Sequence, residues 1–135
     1  MEQYVIDTHP LLWYVADDSR LSPQANSVIE KAEAGEINII VPAIVLIEAI
    51  DVLNKRRIIY DPTELLNWLS QNSQFIIKNL DWEIINLFKD YRSPKPEIKI
   101  NNHDQIIIVT AQCFGGIPII TKDSDIQQVY PSTIW

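Results

Sequence analysis

The sequence has one cysteine, three glycines and two histidines in 135 residues. Cys113 alone closes no internal disulfide, and in its apolar stretch it reads as a small core side chain. His9 and His103 stand far apart, so no Cys/His zinc spacing exists. The glycines, at 35, 115 and 116, make no phosphate-cradling loop, and no Ser-His-Asp arrangement is evident. Long apolar runs are also missing. The longest, around Ile39 to Ile47, is broken by Pro42 and is too short to span a bilayer. Met1-Glu2-Gln3 lacks the basic start of a secretory leader, so a cytoplasmic protein away from any membrane is expected. Basic residues are outnumbered, 11 Lys and Arg against 18 Asp and Glu, for a net charge of −7. That argues against a nucleic-acid binder relying on a basic face. It leaves open a protein that meets phosphates through bound cations, which supply positive charge locally.

What is present is a chain 47% apolar, long enough for one domain over residues 1–135 with a proper core. Tyr4-Val5-Ile6-Asp7 reads as a short buried strand. Thr8 is a candidate cap for a helix over 9–16, with Pro10 in its tolerated first turn. Ser22-Pro23 opens a second helix that Gly35 ends. Residues 37–42 form the second strand, and a helix carrying Glu48 follows to about Lys55-Arg56-Arg57. Asp61-Pro62 opens another helix, 75–77 is a strand, and Asp81 caps a helix with Trp82, Ile85, Leu87 and Phe88. Pro94 and Pro96 mark a loop. Asn101 or Asn102 caps a helix ending at Gly115-Gly116. Residues 117–121 form a strand, Ser124-Asp125 a turn, and 132–135 a short edge strand. Strands alternating with helices predict a mostly parallel sheet covered on both faces.

Glu48 is the most informative residue. It interrupts an apolar run, and a carboxylate buried without a partner costs several kcal/mol or takes up a proton. Asp7, Asp104 and Asp123 stand in similar places, at the edges of apolar elements. In a parallel α/β sheet the functional crevice lies at the carboxyl ends of strands. Asp7 and Asp123 fall at such ends, and Glu48 and Asp104 fall in early helical turns that can lean over the same crevice. One cation site assembled by folding is the simplest reading. Singly, each acid is also explained as a cap, a first-turn acid or a solvated face.

These positions carry a resemblance. Val5-Ile6-Asp7-Thr8-His9-Pro10-Leu11-Leu12-Trp13 resembles the opening motif of PIN-domain proteins, notably VapC toxins of bacterial toxin–antitoxin pairs. Pro42 to Glu48, His103 to Ile107 and Thr121 to Ile126 resemble their later acidic motifs, in the family's order and over nearly the whole chain. The chain departs at Asn101 and Asn102, where many relatives carry an Asp, and at Gln105, where many carry Arg. The resemblance implies a three-layer α/β/α PIN fold and a Mg²⁺ or Mn²⁺ site formed by Asp7, Glu48, Asp104 and Asp123. It implies endoribonuclease activity held in check by a VapB-type antitoxin, and a homodimer. The alternative is a non-catalytic PIN-like binding or scaffold module.

Around that core set, Thr8 and Thr121 are expected to orient carboxylates by hydrogen bonds. Asp125 is either an auxiliary ligand or a solvated turn acid. His9 and His103 are assigned to helix-start packing or capping. Lys55-Arg56-Arg57 reads as a solvated helix end with a possible contact to RNA phosphates. Trp13, Trp68, Trp82 and Trp135 are assigned to core or interface packing, and four tryptophans in so small a core favour the homodimer.

Overall fold

Strand β1 (Gln3–Ile6) runs through the centre of a five-stranded sheet. In the computed structural model, which describes Met1–Trp135, its neighbours are β2 (Asn38–Pro42) and β4 (Ile119–Ile120). The edges are β3 (Phe75–Lys78) beside β2 and β5 (Thr133–Ile134) beside β4, giving the order β3-β2-β1-β4-β5. All four pairings are parallel. Seven helices fill the connections: α1 (Thr8–Val15), α2 (Pro23–Glu33), α3 (Ala43–Asn54), α4 (Pro62–Gln71), α5 (Trp82–Asp90), α6 (Asn102–Cys113) and α7 (Ser124–Val129). The result is a three-layer α/β/α fold.

The central strands carry consecutive apolar side chains because both faces are covered. Val5, Ile6, Ile39, Ile40, Val41, Ile119 and Ile120 are fully buried. Each isoleucine contributes roughly 1.5–3 kcal/mol through burial. Leu11, Leu12, Val45, Ala49 and Ile108 pack onto them from the helices. The edge strand β3 is wetter, with Ile76 and Ile77 exposed. No helix is long and apolar enough to cross a membrane.

Most helix starts follow their capping residues. The Ser22 hydroxyl accepts from the Ala25 N–H at 3.1 Å, Asp61 from the Thr63 N–H at 2.8 Å, and Asp81 from the Ile84 N–H at 3.1 Å. Gly35, at φ +84°, ends the run after α2 where a left-handed residue is needed. Two local expectations are corrected. Asp7, not Thr8, caps α1, and Thr8 is the first helical residue. Ser124-Asp125 is not a turn but the start of α7, whose six residues are too few to show helical periodicity in the sequence. Strand β4 is also shorter than the expected span. Cys113 lies half-buried at the end of α6, and its thiol is pushed up to about 11 by burial and by Glu83.

Candidate metal centre at the strand ends

The strand order reverses between β1 and β4. The chain leaves β1 towards β2 and leaves β4 towards β5, in opposite directions. At such a point the two connections diverge and a crevice opens outside the carboxyl ends of the strands. Asp7 directly follows β1, and Thr121-Lys122-Asp123 follows β4.

Asp7 is held on both oxygens. Its Oδ1 accepts from the Thr8 N–H at 2.7 Å, and its Oδ2 accepts from the Thr121 hydroxyl at 2.7 Å. The Asp7 N–H donates to the Ile120 carbonyl at 3.0 Å, fixing the backbone across the strand pair. The Thr121 hydroxyl oxygen accepts in turn from the Asp123 N–H at 3.0 Å. Asp123 caps α7, its Oδ1 accepting from the Ile126 N–H at 2.9 Å. Gln127 Nε2 donates to the Thr121 carbonyl at 3.0 Å. The hydroxyl of fully buried Thr121 therefore ties the Asp7 carboxylate to the Asp123 backbone.

Asp104 sits in the first turn of α6, where Asn101 Oδ1 accepts its N–H at 2.8 Å. That settles which asparagine caps the helix. Glu48 lies midway along α3, which packs against α6, and its Oε2 stands 3.3 Å from His103 Nδ1. His103 is thus a partner of an acid rather than a packing residue.

The electrostatics join the four acids. Burial pushes the Asp104 carboxyl up to about 7, with Asp123, Asp7 and Glu48 adding to the rise and His103 opposing it. Asp7 is also raised, first by burial. The hydrogen bonds from Thr121 and Thr8 oppose that rise, while Glu48 and Asp123 add to it. Both shifts disfavour the charged form, as expected where acids gather away from water. No three of the side chains are closed on a common point as a finished ligand set. Mg²⁺ needs no such set, because it keeps several waters and takes one or two carboxylates directly. An all-oxygen, anionic donor group of this kind fits Mg²⁺ or Mn²⁺ and suits no thiol-seeking metal.

The remaining candidates divide. Thr8 acts on Asp7 through its backbone N–H, while its buried hydroxyl has no partner. Asp125 is exposed in the first turn of α7. Lys55 pairs with Asp51 at 2.8 Å on a solvated helix end. Gln105 donates from Nε2 to the Phe88 carbonyl at 3.2 Å, which ties α6 to α5. Trp13 is buried, and Trp68 packs on Phe75. Trp82 is 78% exposed, as Leu80 and Ile85 are in part, so it is not a core residue. Lys122 lies beside Asp7 and Asp123 and was not among the expected site residues. Its signal was position, between Thr121 and Asp123 in the fourth motif.

The family model described as "PIN domain" matches residues 4–130. No curated protein matches the sequence. Solved structures with the same fold include a toxin–antitoxin complex from Klebsiella pneumoniae, 20% identical, covering 98% of this chain and 96% of that one at a TM-score of 0.66. The sarcin-ricin loop cleaving toxin VapC20 of Mycobacterium tuberculosis is 15% identical, with 93% of each chain covered and a TM-score of 0.69. VapBC2 of Rickettsia felis, bound to a DNA fragment from its promoter, is 15% identical over 94% of this chain and 92% of that one, with a TM-score of 0.66.

Proposed function

We infer that this chain, which belongs to the PIN-domain family, is a divalent-metal-dependent endoribonuclease of the VapC toxin kind. The observation that carries the reading is the placement of Asp7 and Asp123 at the strand-order reversal, tied together through Thr121, with Glu48 and Asp104 supplied by the packed helices α3 and α6. Asp7, Asp104, Asp123 and Glu48 are the proposed holders of Mg²⁺ or Mn²⁺. When bound, such a cation polarises a phosphoryl oxygen and lowers the pKa of a water.

The chain's own residues do the rest. Thr121 and the Thr8 N–H fix the Asp7 carboxylate, so its remaining lone pairs face a set direction. The α7 cap fixes Asp123 in the same way. His103 orients Glu48, a group suited to taking a proton from an attacking water. The carboxylates repel phosphate until their charge is offset, so a bound cation should strengthen RNA binding.

The cytoplasm, an RNA substrate and a VapB-type antitoxin belong to the same proposal, supported by the toxin–antitoxin structures that share the fold. A homodimer is proposed on the exposed apolar face of Leu80, Trp82 and Ile85. One observation favours the alternative of a non-catalytic PIN-like module. Gln105, where many relatives carry Arg, is turned to α5 and holds no carboxylate.

Incubation of purified protein with an RNA panel separates the two. Cleavage with Mg²⁺ or Mn²⁺, halted by EDTA and lost in Asp7→Asn, with 5′-phosphate ends, is the expected outcome. Products ending in 2′,3′-cyclic phosphate, or cleavage that survives EDTA, would reject the mechanism. Inactivity across the panel with metal bound would favour the non-catalytic module.

A further inference from the structure

A cleft of about 240 Å³ opens beside the acids, lined by Asp7, His9, Pro10, Trp13, Lys122 and Asp123. We propose that it seats a phosphate of single-stranded RNA next to the bond being cleaved, with Lys122 as the positioning cation. The proposal rests on the ribonuclease reading and adds to it the residue that holds the strand.

Lys122 is exposed and takes part in none of the chain's ion pairs, although Asp123 adjoins it and Asp7 lines the same cleft. Its ammonium instead lies 5.8 Å from the centre of the Trp13 ring. The ring is a firm support. It is 7% exposed, and Trp135 and His9 stand 5.8 and 5.5 Å away. Arg20 lies 5.3 Å from the same ring, but its guanidinium is spent on Asp18 at 2.7 Å. Lys122 is therefore a cation kept on the rim by an aromatic face, with its hydrogen-bonding donors uncommitted.

A face-on cation–aromatic contact at an exposed site is weaker than a charge-assisted hydrogen bond to phosphate. The ammonium can thus pass from indole to phosphate without breaking an ion pair first. This matters in a protein of net charge −7, which has no general attraction for a polyanion. A single placed cation beside the carboxylates draws in a phosphate where a diffuse basic face would not be selective. The small volume and the wall formed by exposed His9 suit one nucleotide of an unpaired strand rather than a duplex.

The test measures binding of a fluorescent single-stranded oligoribonucleotide without metal, in an Asp104→Asn background that cannot hydrolyse it. Adding Lys122→Gln should weaken binding roughly tenfold, the worth of one charge-assisted contact. It should also reduce the slope of log K against log salt by about 0.7. Lys122→Arg should restore most of both. Equal affinity and equal slope for Lys122→Gln would overturn the subsite and leave the ribonuclease reading to its own cleavage assay. Loss of affinity with no change of slope, in Gln and Arg variants alike, would also overturn it, as a structural effect. Lys122-dependent binding by a protein that cleaves nothing would uphold the subsite while the ribonuclease reading failed.

Discussion

Replacing Asp104 by asparagine should make the metal-free protein more stable at alkaline pH, even though it removes a proposed ligand. The carboxyl is raised to about 7 in the folded protein, against an ordinary value of 3.8. Between those values the unfolded chain has lost the proton and the folded chain still holds it. Stability from this group is therefore fully present below about pH 4 and is lost as pH rises through about 7. At full strength the shift corresponds to roughly 4 kcal/mol. Asp104 is only half-buried, so solvent screening reduces this to on the order of 1–2 kcal/mol. Asparagine has nearly the same shape and no charge. The variant should melt about 3–8 °C above the parent near pH 8 in EDTA, and close to it near pH 4.5. Millimolar Mn²⁺ should narrow or reverse the gap, because a cation relieves in the parent the repulsion that the variant lacks. Differential scanning calorimetry at the two pH values, with and without Mn²⁺, reads all four conditions. A variant that melts below the parent near pH 8 in EDTA would refute the reasoning. So would a parent whose melting temperature ignores the metal.

Thr121→Val should destabilise the fold by about 1–3 kcal/mol in denaturant titrations, because the Asp123 N–H loses its acceptor and Asp7 loses a donor. It should also raise the Asp7 carboxyl further, since the Thr121 hydrogen bond now lowers it; carbon-13 NMR of the carboxyl would follow that titration. Trp82→Ser should change monomer stability by no more than about 0.5 kcal/mol, as expected of an exposed site. The same change should weaken self-association in light scattering, and an unchanged dimer would place the interface elsewhere.

The sheet was legible because its strands write their burial into consecutive β-branched residues, as Ile39-Ile40-Val41 and Ile119-Ile120 do. Caps were legible where one residue type suited the position, as at Ser22 and Asp61. Asp7-Thr8 was ambiguous because both residues cap well, and only the hydrogen bond to the Thr8 N–H decides between them. Helix α7 was hidden by its shortness and by a start that looks like a turn. The pairing of Glu48 with His103 joins residues 55 apart through the packing of α3 on α6, and no local pattern announces such a contact. The contact of Lys122 with Trp13 was hidden for a similar reason. The lysine's role depends on an indole more than a hundred residues earlier in the chain, which no reading along the sequence brings together. Trp82 shared an apolar helical stripe with Ile85 and Phe88, and periodicity does not say whether such a stripe meets the core or another molecule.

The Thr121 hydroxyl spans 114 residues to reach Asp7. The first strand of the chain lies at the centre of the sheet, and the strand that completes its surroundings is the fourth to emerge during synthesis. A nascent chain can pair β1 with β2, and β2 with β3, long before Ile119-Ile120 exists. Until then Asp7 has no hydroxyl donor, and Lys122 and Asp123 are absent. Whatever chemistry the carboxylates perform thus waits on β4 and the residues that follow it. A ribosome that stalls before β4 releases a chain with much of its core but none of its fourth motif. For a protein proposed to cut RNA inside its own cell, the order of strands acts as a delay, because the surroundings of Asp7 are finished only once β4 and Thr121 have been made.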